Sequence, residues 1–427
     1  MSLNPTRALL DNGIVFVGKH TQTTPAVAVN LAMRAGSICD PADAVGATWL
    51  LSRVLDRGTM ARSAADIAEE LDSRGISLTI TVTRHLLSLI CSCLADDFDP
   101  VFELLGEILM SPTFPEDEMP MQKGQVITAI RQDEDSPAAQ AVEGLMALLY
   151  PNGHPYGRRT KGSIEEVEAL TRDRLVGLYA ERFAPTELTA CIVGDVDMSR
   201  ARDATARVFG GWRTPRPPTT ALGAPAPVTR RQRLVIPMMN KAQADIAYGF
   251  ATIQRTDPAY YAYWVMNNIF GQYSLGGRLG DSIRERQGMA YYVSSSFDAN
   301  IVAGPLMIRA GVSTPNVDRA VASIDDEITR IANEGVIAEE LDQSRRYMIG
   351  SLPRALETNA AIANFLQQEE FFGLGLDYDV RLPDLLRNVT LDDVNAAARR
   401  AFSVDRATVV IAGPYNQLPD DPANKCL

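Results

Sequence analysis

The stretch Phe183-Ala-Pro-Thr-Glu-Leu-Thr-Ala-Cys-Ile-Val-Gly194 returns in altered form as Phe402-Ser-Val-Asp-Arg-Ala-Thr-Val-Val-Ile-Ala-Gly413. Each copy follows a helical pattern, opened by Leu170-Thr171-Arg172-Asp173 before the first and by Val389-Thr390-Leu391-Asp392 before the second. The pairs Thr171/Thr390, Phe183/Phe402 and Gly194/Gly413 all stand 219 positions apart. Three anchors at one offset rarely arise by chance, so the chain reads as an internal duplication. Phe114-Pro-Glu-Asp-Glu118-Met119 against Val336-Ile-Ala-Glu-Glu340-Leu341 falls at an offset of 222, which a small insertion or deletion accounts for.

Between the copies lies Thr214-Pro-Arg-Pro-Pro-Thr-Thr-Ala-Leu-Gly-Ala-Pro-Ala-Pro-Val228, with five prolines and no periodic apolar pattern, the composition of an extended linker. The expected organisation is a first half over 1–213, a linker over 214–228 and a second half over 229–427. In each half, short β-branched runs such as Val27–Met33 and Ala244–Phe250 precede several long helical patterns without strict strand-helix alternation, which predicts an α+β fold. Ile76–Thr83 and Leu86–Leu94 predict two paired strands, the first alternating Ile76, Leu78, Ile80 and Val82 with Ser77, Thr79, Thr81 and Thr83.

With 427 residues, 46% of them hydrophobic, each half can bury its own core. No apolar run approaches the roughly 20 residues of a spanning helix, and the opening residues lack a secretory pattern, so a cytoplasmic location is expected, or a periplasmic one if a leader was removed. Five scattered cysteines argue against a disulfide framework; Cys91 and Cys93 fall on one side of a strand and lack the second pair of a structural zinc site. A net charge of −12 disfavours nucleic acid and anionic membrane as partners.

Asp40-Pro41 predicts a helix start, with Asp40 as N-cap and the helix running to about Asp56 before Gly58. From Gly46 to Thr59 the sequence resembles the first signature of the pitrilysin/insulinase family of zinc peptidases, through Gly46-Ala47, Leu51, Leu55, Gly58 and Thr59. In that family an inverted His-x-x-Glu-His motif sets two histidines on one helical face, with a glutamate that polarises the metal-bound water. By this resemblance the three positions are Trp49, Ser52 and Arg53, and the family's third ligand, a glutamate on a later helix, falls on Ala129. Indole is a donor only, guanidinium stays cationic, and a serine hydroxyl is no general base near neutral pH. No zinc is therefore expected in this chain. His20, His85 and His154 lie 65 and 69 positions apart, so no pair chelates through helical spacing, and each reads as a surface or loop residue.

The resemblance continues through Ser63–Gly75 and Tyr150–Gly157 and reaches over most of the chain. It implies two homologous α/β-sandwich halves arranged as half of a clamshell, with peptide adding to an edge strand that maps to Gly75–Val82. Thr79-Ile80 stands where many active members carry Asn-Ala.

Gly276–Val293 reads as a polar helix, a glycine turn and a strand, and resembles the family's second signature. There an arginine and a tyrosine reach a substrate held at the other half's zinc; here they are Arg284 and Tyr291, with Arg278 and Tyr292 as competitors and Tyr292 facing the opposite side of its strand. Read without the resemblance, Arg284 is a solvated helix residue and Tyr291 a strand core residue. In family members built from two half-size chains, one chain carries the zinc motif while its partner has lost it and keeps the arginine and tyrosine. The resemblance thus implies a non-catalytic, substrate-binding subunit of a heterodimeric zinc metallopeptidase, with the zinc in the partner and peptide as substrate. A structural or peptide-holding subunit is the alternative, and a homodimer stays open. An independent hydrolase is disfavoured by the absence of a Gly-x-Ser-x-Gly elbow and by the isolated histidines.

Overall fold

The repeat read from the sequence reappears in the order of the strands. A computed structural model describes residues 2–220, 222–272 and 276–416. The first half runs β1 (Thr6–Leu9), β2 (Val15–His20), β3 (Ala26–Met33), α1 (Ala47–Val54), α2 (Ala64–Ser73), β4 (Ser77–Val82), β5 (Leu87–Leu94) and α3 (Phe98–Met110). It continues with α4 (Met119–Glu134), α5 (Pro137–Leu149), α6 (Ile164–Ala169), α7 (Arg172–Arg182), β6 (Leu188–Gly194) and α8 (Met198–Phe209). The second half runs β7 (Gln232–Pro237), β8 (Ala244–Ala251), α9 (Tyr260–Asn267), β9 (Ala290–Phe297), β10 (Pro305–Val312) and α10 (Val317–Asn333). After these come α11 (Ala338–Ala355), α12 (Asn359–Phe372), α13 (Tyr378–Arg387), α14 (Leu391–Ala401) and β11 (Thr408–Gly413).

The sheet orders are β1-β2-β6-β3-β5-β4 and β7-β11-β8-β10-β9. Without β1 the two are one pattern, which confirms the α+β reading and the two similar halves. The duplicated stretch forms β6 and β11, each parallel to β2 or β7 on one side and antiparallel to β3 or β8 on the other. Its anchors recur because their physical tasks recur. Thr171 and Thr390 cap α7 and α14, each accepting the N–H three residues on. Phe183 and Phe402 close those helices and are buried. Gly194 and Gly413 have φ of +148° and +139°, and a Cβ on either would collide with the backbone of the neighbouring strand at Ala26 or Ala244.

Both faces of the first sheet are covered, and alternation along its strands divides the side chains between them. Phe16, Val29 and Ile192 enter a large core with α1, α3, α4, α7 and α8. Val17, Ala28 and Val193 face Ile362, Ala363 and Leu366 of α12. Fully burying a Phe or Leu stabilises by roughly 1.5–3 kcal/mol, and Phe98, Phe102, Leu104 and Leu105 of α3 all reach that state. Cys91 and Cys93, on one side of β5, both belong to this core.

Two compact units emerge, and each draws one segment from the other half of the sequence. The first takes Met1–Ile130, Arg159–Ala221 and Ser351–Arg381; the second takes Arg131–Arg158, Leu222–Gly350 and Leu382–Leu427. The exchanged segments supply equivalent parts: α12 packs on β6 and β3, while α5 packs on β8 and β11. Residues 214–220 and 222–228 contain neither helix nor strand, as the prolines dictate. Among the described residues no helix is long and apolar enough to cross a membrane.

Two buried ionisable groups give the first unit opposed pH responses. His85 lies in the β4–β5 connection but is only 5% exposed, with its ring 5.8 Å from that of Phe371. Burial and then the neighbouring Arg84 lower its pKa from 6.5 to about 4. Glu369 on α12 is 2% exposed, and burial followed by the charges of Asp379 and Asp377 raises its pKa from 4.5 to about 8. Between pH 6.5 and 4 the unfolded chain takes up a proton that folded His85 refuses, so this term removes stability as pH falls. Between pH 4.5 and 8 folded Glu369 keeps a proton that the unfolded chain releases, so this term removes stability as pH rises. Relative to wild type, His85→Phe should gain stability on acidification and Glu369→Gln on alkalinisation. Each should gain about 1.4 kcal/mol per pH unit inside its window, read by urea unfolding at a series of pH values.

Candidate functional site

Helix α1 begins later than its sequence predicts, at Ala47 rather than Pro41, because the chain first makes a turn that ends on Gly46 at φ +86°. Asp40 still serves the helix start, from a distance. Its carboxylate, 3% exposed, accepts the N–H groups of Gly46 and Thr48, both at 2.9 Å, and the Thr48 hydroxyl. These bonds satisfy N–H groups that a helix start leaves without intrahelical partners.

Trp49, Ser52 and Arg53 follow on this helix. Ser52 is 3% exposed, and its hydroxyl donates to the Trp49 carbonyl at 2.7 Å, a local bond that occupies the oxygen within its own helix. Arg53 is exposed one turn beyond Trp49, with its guanidinium carbon 5.3 Å from the ring centroid. The ammonium of Lys161 lies 5.5 Å from a ring of the same indole. Ala129, half-buried on α4, ends in a methyl group. Two cations on an aromatic plate, a hydroxyl bonded to its own helix and a methyl do not make a zinc site: none supplies an anionic or imidazole ligand, and the cations repel the ion. Among the described residues no three His, Cys, Asp or Glu side chains gather where they could hold a metal ion.

The histidines are occupied separately. His20 Nδ1 is 3.0 Å from the Val196 carbonyl oxygen, and His154 Nδ1 accepts the Tyr156 N–H at 3.1 Å. His85 is a loop residue, as the sequence suggests, but the β4–β5 connection folds it inward and leaves it buried.

Among the described residues β4 is an edge of the first sheet, paired with β5 in a register that sets Thr79 opposite Ile90. Ile80 points into the core and Thr79 toward solvent, as the alternation predicts. Helix α1 packs against this edge strand.

In the second unit, Gly280–Arg286 forms a π-helical turn packed against β9, the corresponding edge strand of its sheet. Arg284 is exposed on that turn, with its side chain 41% accessible and, among the described residues, a loose 3.8 Å approach to Glu285. Tyr291 lies on β9 and is 84% exposed, which overturns its reading as a strand core residue. Its neighbour Tyr292 faces the other side, as period-two alternation requires, and donates its hydroxyl to Asp245. Arg278 is committed elsewhere, donating to both carboxylate oxygens of Glu340 at 2.7 Å and to the Gly335 carbonyl at 2.8 Å. Burial pushes the Glu340 carboxyl upward, but the bonds from Arg278 and the Ile337 amide hold it below the usual range. Both competitors are thus tied into the fold. Lys161 was not singled out in the sequence, where nothing in its surroundings relates it to a helix more than a hundred positions earlier.

The family described as insulinase (peptidase family M16) matches residues 15–160, and that described as peptidase M16 inactive domain matches residues 169–348. An uncharacterized zinc protease YmxG of Bacillus subtilis is 25% identical over 414 residues, covering 97% of this chain and 99% of that protein. A protein of Helicobacter pylori named non-peptidase homolog YmxG is 23% identical over 404 residues, covering 93% and 91%. The crystal structure of a peptidase M16 inactive domain from Pseudomonas fluorescens superposes with a TM-score of 0.89 at 25% identity, covering 98% of this chain and all of that one.

Proposed function

The chain belongs to the insulinase family, peptidase M16, as a member without the inverted zinc motif, and on that premise we propose that it is the non-catalytic, substrate-binding subunit of a heterodimeric zinc metallopeptidase. One observation carries the reading: Arg284 and Tyr291 are exposed, while Arg278 and Tyr292, the same residue types nearby, are bound into the fold. An exposed arginine and tyrosine not used by the fold are suited to a surface contact.

The division of labour follows from the chemistry of each group. Trp49, Ser52, Arg53 and Ala129 supply neither ligands nor a base, so the zinc belongs to a partner chain of the family. Hydrolysis of a peptide bond develops negative charge on the oxygen of the attacked carbonyl. Arg284 and Tyr291 bring only donors and carry no competing acceptor charge, so each can hydrogen-bond that oxygen or a neighbouring peptide carbonyl. The guanidinium adds a fixed positive charge, which counts for more where water is excluded.

Mixing this chain with a half-size family member that carries an intact His-x-x-Glu-His should give a one-to-one complex on size-exclusion chromatography and raise peptidase activity. A complex without any gain in activity would favour a structural or peptide-holding role. The absence of both would contradict the proposal.

A further inference from the structure

We propose that Tyr292, Asp245 and Gln287 are positioning residues that hold Arg284 and Tyr291 at one spacing before any substrate arrives, a role that rests on the proposed function of that pair.

Exposed side chains lose rotamer freedom when they bind, so two of them serve one contact well only if the backbone beneath is held. On the strand side it is held by a bond laid across a whole strand. Gly311 of β10 stands opposite Asp245 of β8 on one edge and opposite Tyr292 of β9 on the other. Neighbouring strands lie about 4.8 Å apart, so the Tyr292 side chain crosses β10 to donate its hydroxyl to Asp245. Gly311 leaves it room: a Cβ there would stand 2.5 Å from a ring carbon of Tyr292. Asp245 is 3% exposed, and a carboxylate buried to that degree requires a donor. Burial and then the bond to Asp245 push the Tyr292 hydroxyl above the usual phenol range, so the proton that makes the bond stays in place near neutral pH.

This anchor fixes a bulge. Val312 pairs with Ala290 and Gly311 with Tyr292, so among the described residues Tyr291 is an extra residue that β10 does not pair. Counting by twos from Val293 and Ser295, both buried, would carry Tyr291 inward, yet it is 84% exposed. A bulge re-aims a side chain through a local kink, and that kink keeps one angle when the residues on both sides are tied down. Ala290 is buried on one side and Tyr292 is bonded to Asp245 on the other.

The turn that carries Arg284 has its own pin. Gly288, at φ +61°, redirects the chain between the two donors, and the Met289 N–H returns to the Ile283 carbonyl at 3.1 Å. The Gln287 amide reaches α10, where the Ser323 hydroxyl oxygen is 3.2 Å from its nitrogen and 3.3 Å from its oxygen. Arg284 and Tyr291 thus leave one short segment that is fastened to β8 by Tyr292 and to α10 by Gln287. Donors arranged in advance need no ordering at the moment of reaction, which is where such stabilisation gains most.

The test measures kcat and KM separately in a peptidase reconstituted from the full chain and a zinc-bearing family partner. Tyr292→Phe should lower kcat about fivefold with KM within about twofold, and Asp245→Asn, which keeps an acceptor oxygen, should retain most of the rate. Gln287→Met lies away from the buried pair and should lower kcat about threefold, so a sheet variant that folds poorly does not decide the matter. In a Tyr291→Phe chain, Tyr292→Phe should cost less than about twofold more, because no hydroxyl is left to place. A loss of equal size in both backgrounds would mark a merely structural bond and overturn this inference. So would wild-type kcat in both the Tyr292→Phe and the Gln287→Met chains, and either result would leave the proposed function standing. No rise in rate on adding the wild-type chain would overturn both.

Discussion

A variant carrying Trp49→His, Ser52→Glu, Arg53→His and Ala129→Glu together is expected to bind one zinc ion per chain, with a dissociation constant below about 1 μM, and the parent chain is expected to bind none. The expectation follows from α1. The Arg53 side chain lies over Trp49, so positions 49 and 53 share a helical face, and two imidazoles there would stand one turn apart, as a chelating pair requires. Helices α1 and α4 send their apolar residues into one core, which gives a glutamate at position 129 a common framework with the helix bearing the histidines. Three of the four changes are at positions with solvent access. Ser52 is buried, so Ser52→Glu should cost stability until the metal is bound, and zinc should raise the midpoint of thermal unfolding. Any one change alone should leave zinc uptake unmeasurable, because a single ligand does not hold the ion. Elemental analysis after dialysis reads the result. A folded quadruple variant that takes up no zinc would mean that these positions are not the family's metal positions.

The second large effect belongs to the other unit. In a peptidase reconstituted from this chain and a zinc-bearing partner, Arg284→Ala should lower kcat/KM by about 10²–10³, the usual loss for a donor aimed at a developing oxyanion. Tyr291→Phe, which removes one hydroxyl and keeps the ring, should cost about tenfold. The double variant should fall little further than Arg284→Ala, since two groups serving one oxygen are not additive. Neither side chain is built into its own core, so circular dichroism and complex formation should stay as in wild type. Arg278→Ala is the contrasting control: it breaks a two-pronged bond to Glu340 and should lower the stability of the second unit itself.

Much of this molecule was legible in its sequence because the tasks involved are local. Thr171 and Thr390 cap helices three residues ahead, and Gly194 and Gly413 end strands pressed against a neighbour, so each must be what it is wherever the half is built. Alternation placed Tyr292 opposite Tyr291 and Thr79 opposite Ile80 for the same reason. What escaped was set by contacts between distant segments. Asp40 looks like an adjacent cap, and only the turn at Gly46 makes it a remote one. Nothing local in the sequence of α5 and α12 tells that each covers a sheet formed mainly by the other half. His85 sits between two strands in a polar-looking turn, and its burial depends on α12, whose Phe371 lies beside it. Lys161 acquires its place only when two left-handed glycines bring its loop onto α1. The assignment of Trp49, Ser52, Arg53 and Ala129 to the family's metal and base positions rests on resemblance rather than on spacing, since nothing in these residues taken alone suggests a site.

The most direct measurement is kcat/KM for a peptide substrate at a fixed concentration of the zinc-bearing partner, as this chain is added to equivalence. The rate should rise, saturate at one chain per partner and be largely lost when the added chain carries Arg284→Ala. A rate that does not change on adding the wild-type chain, or that rises equally with the Arg284→Ala chain, would contradict it.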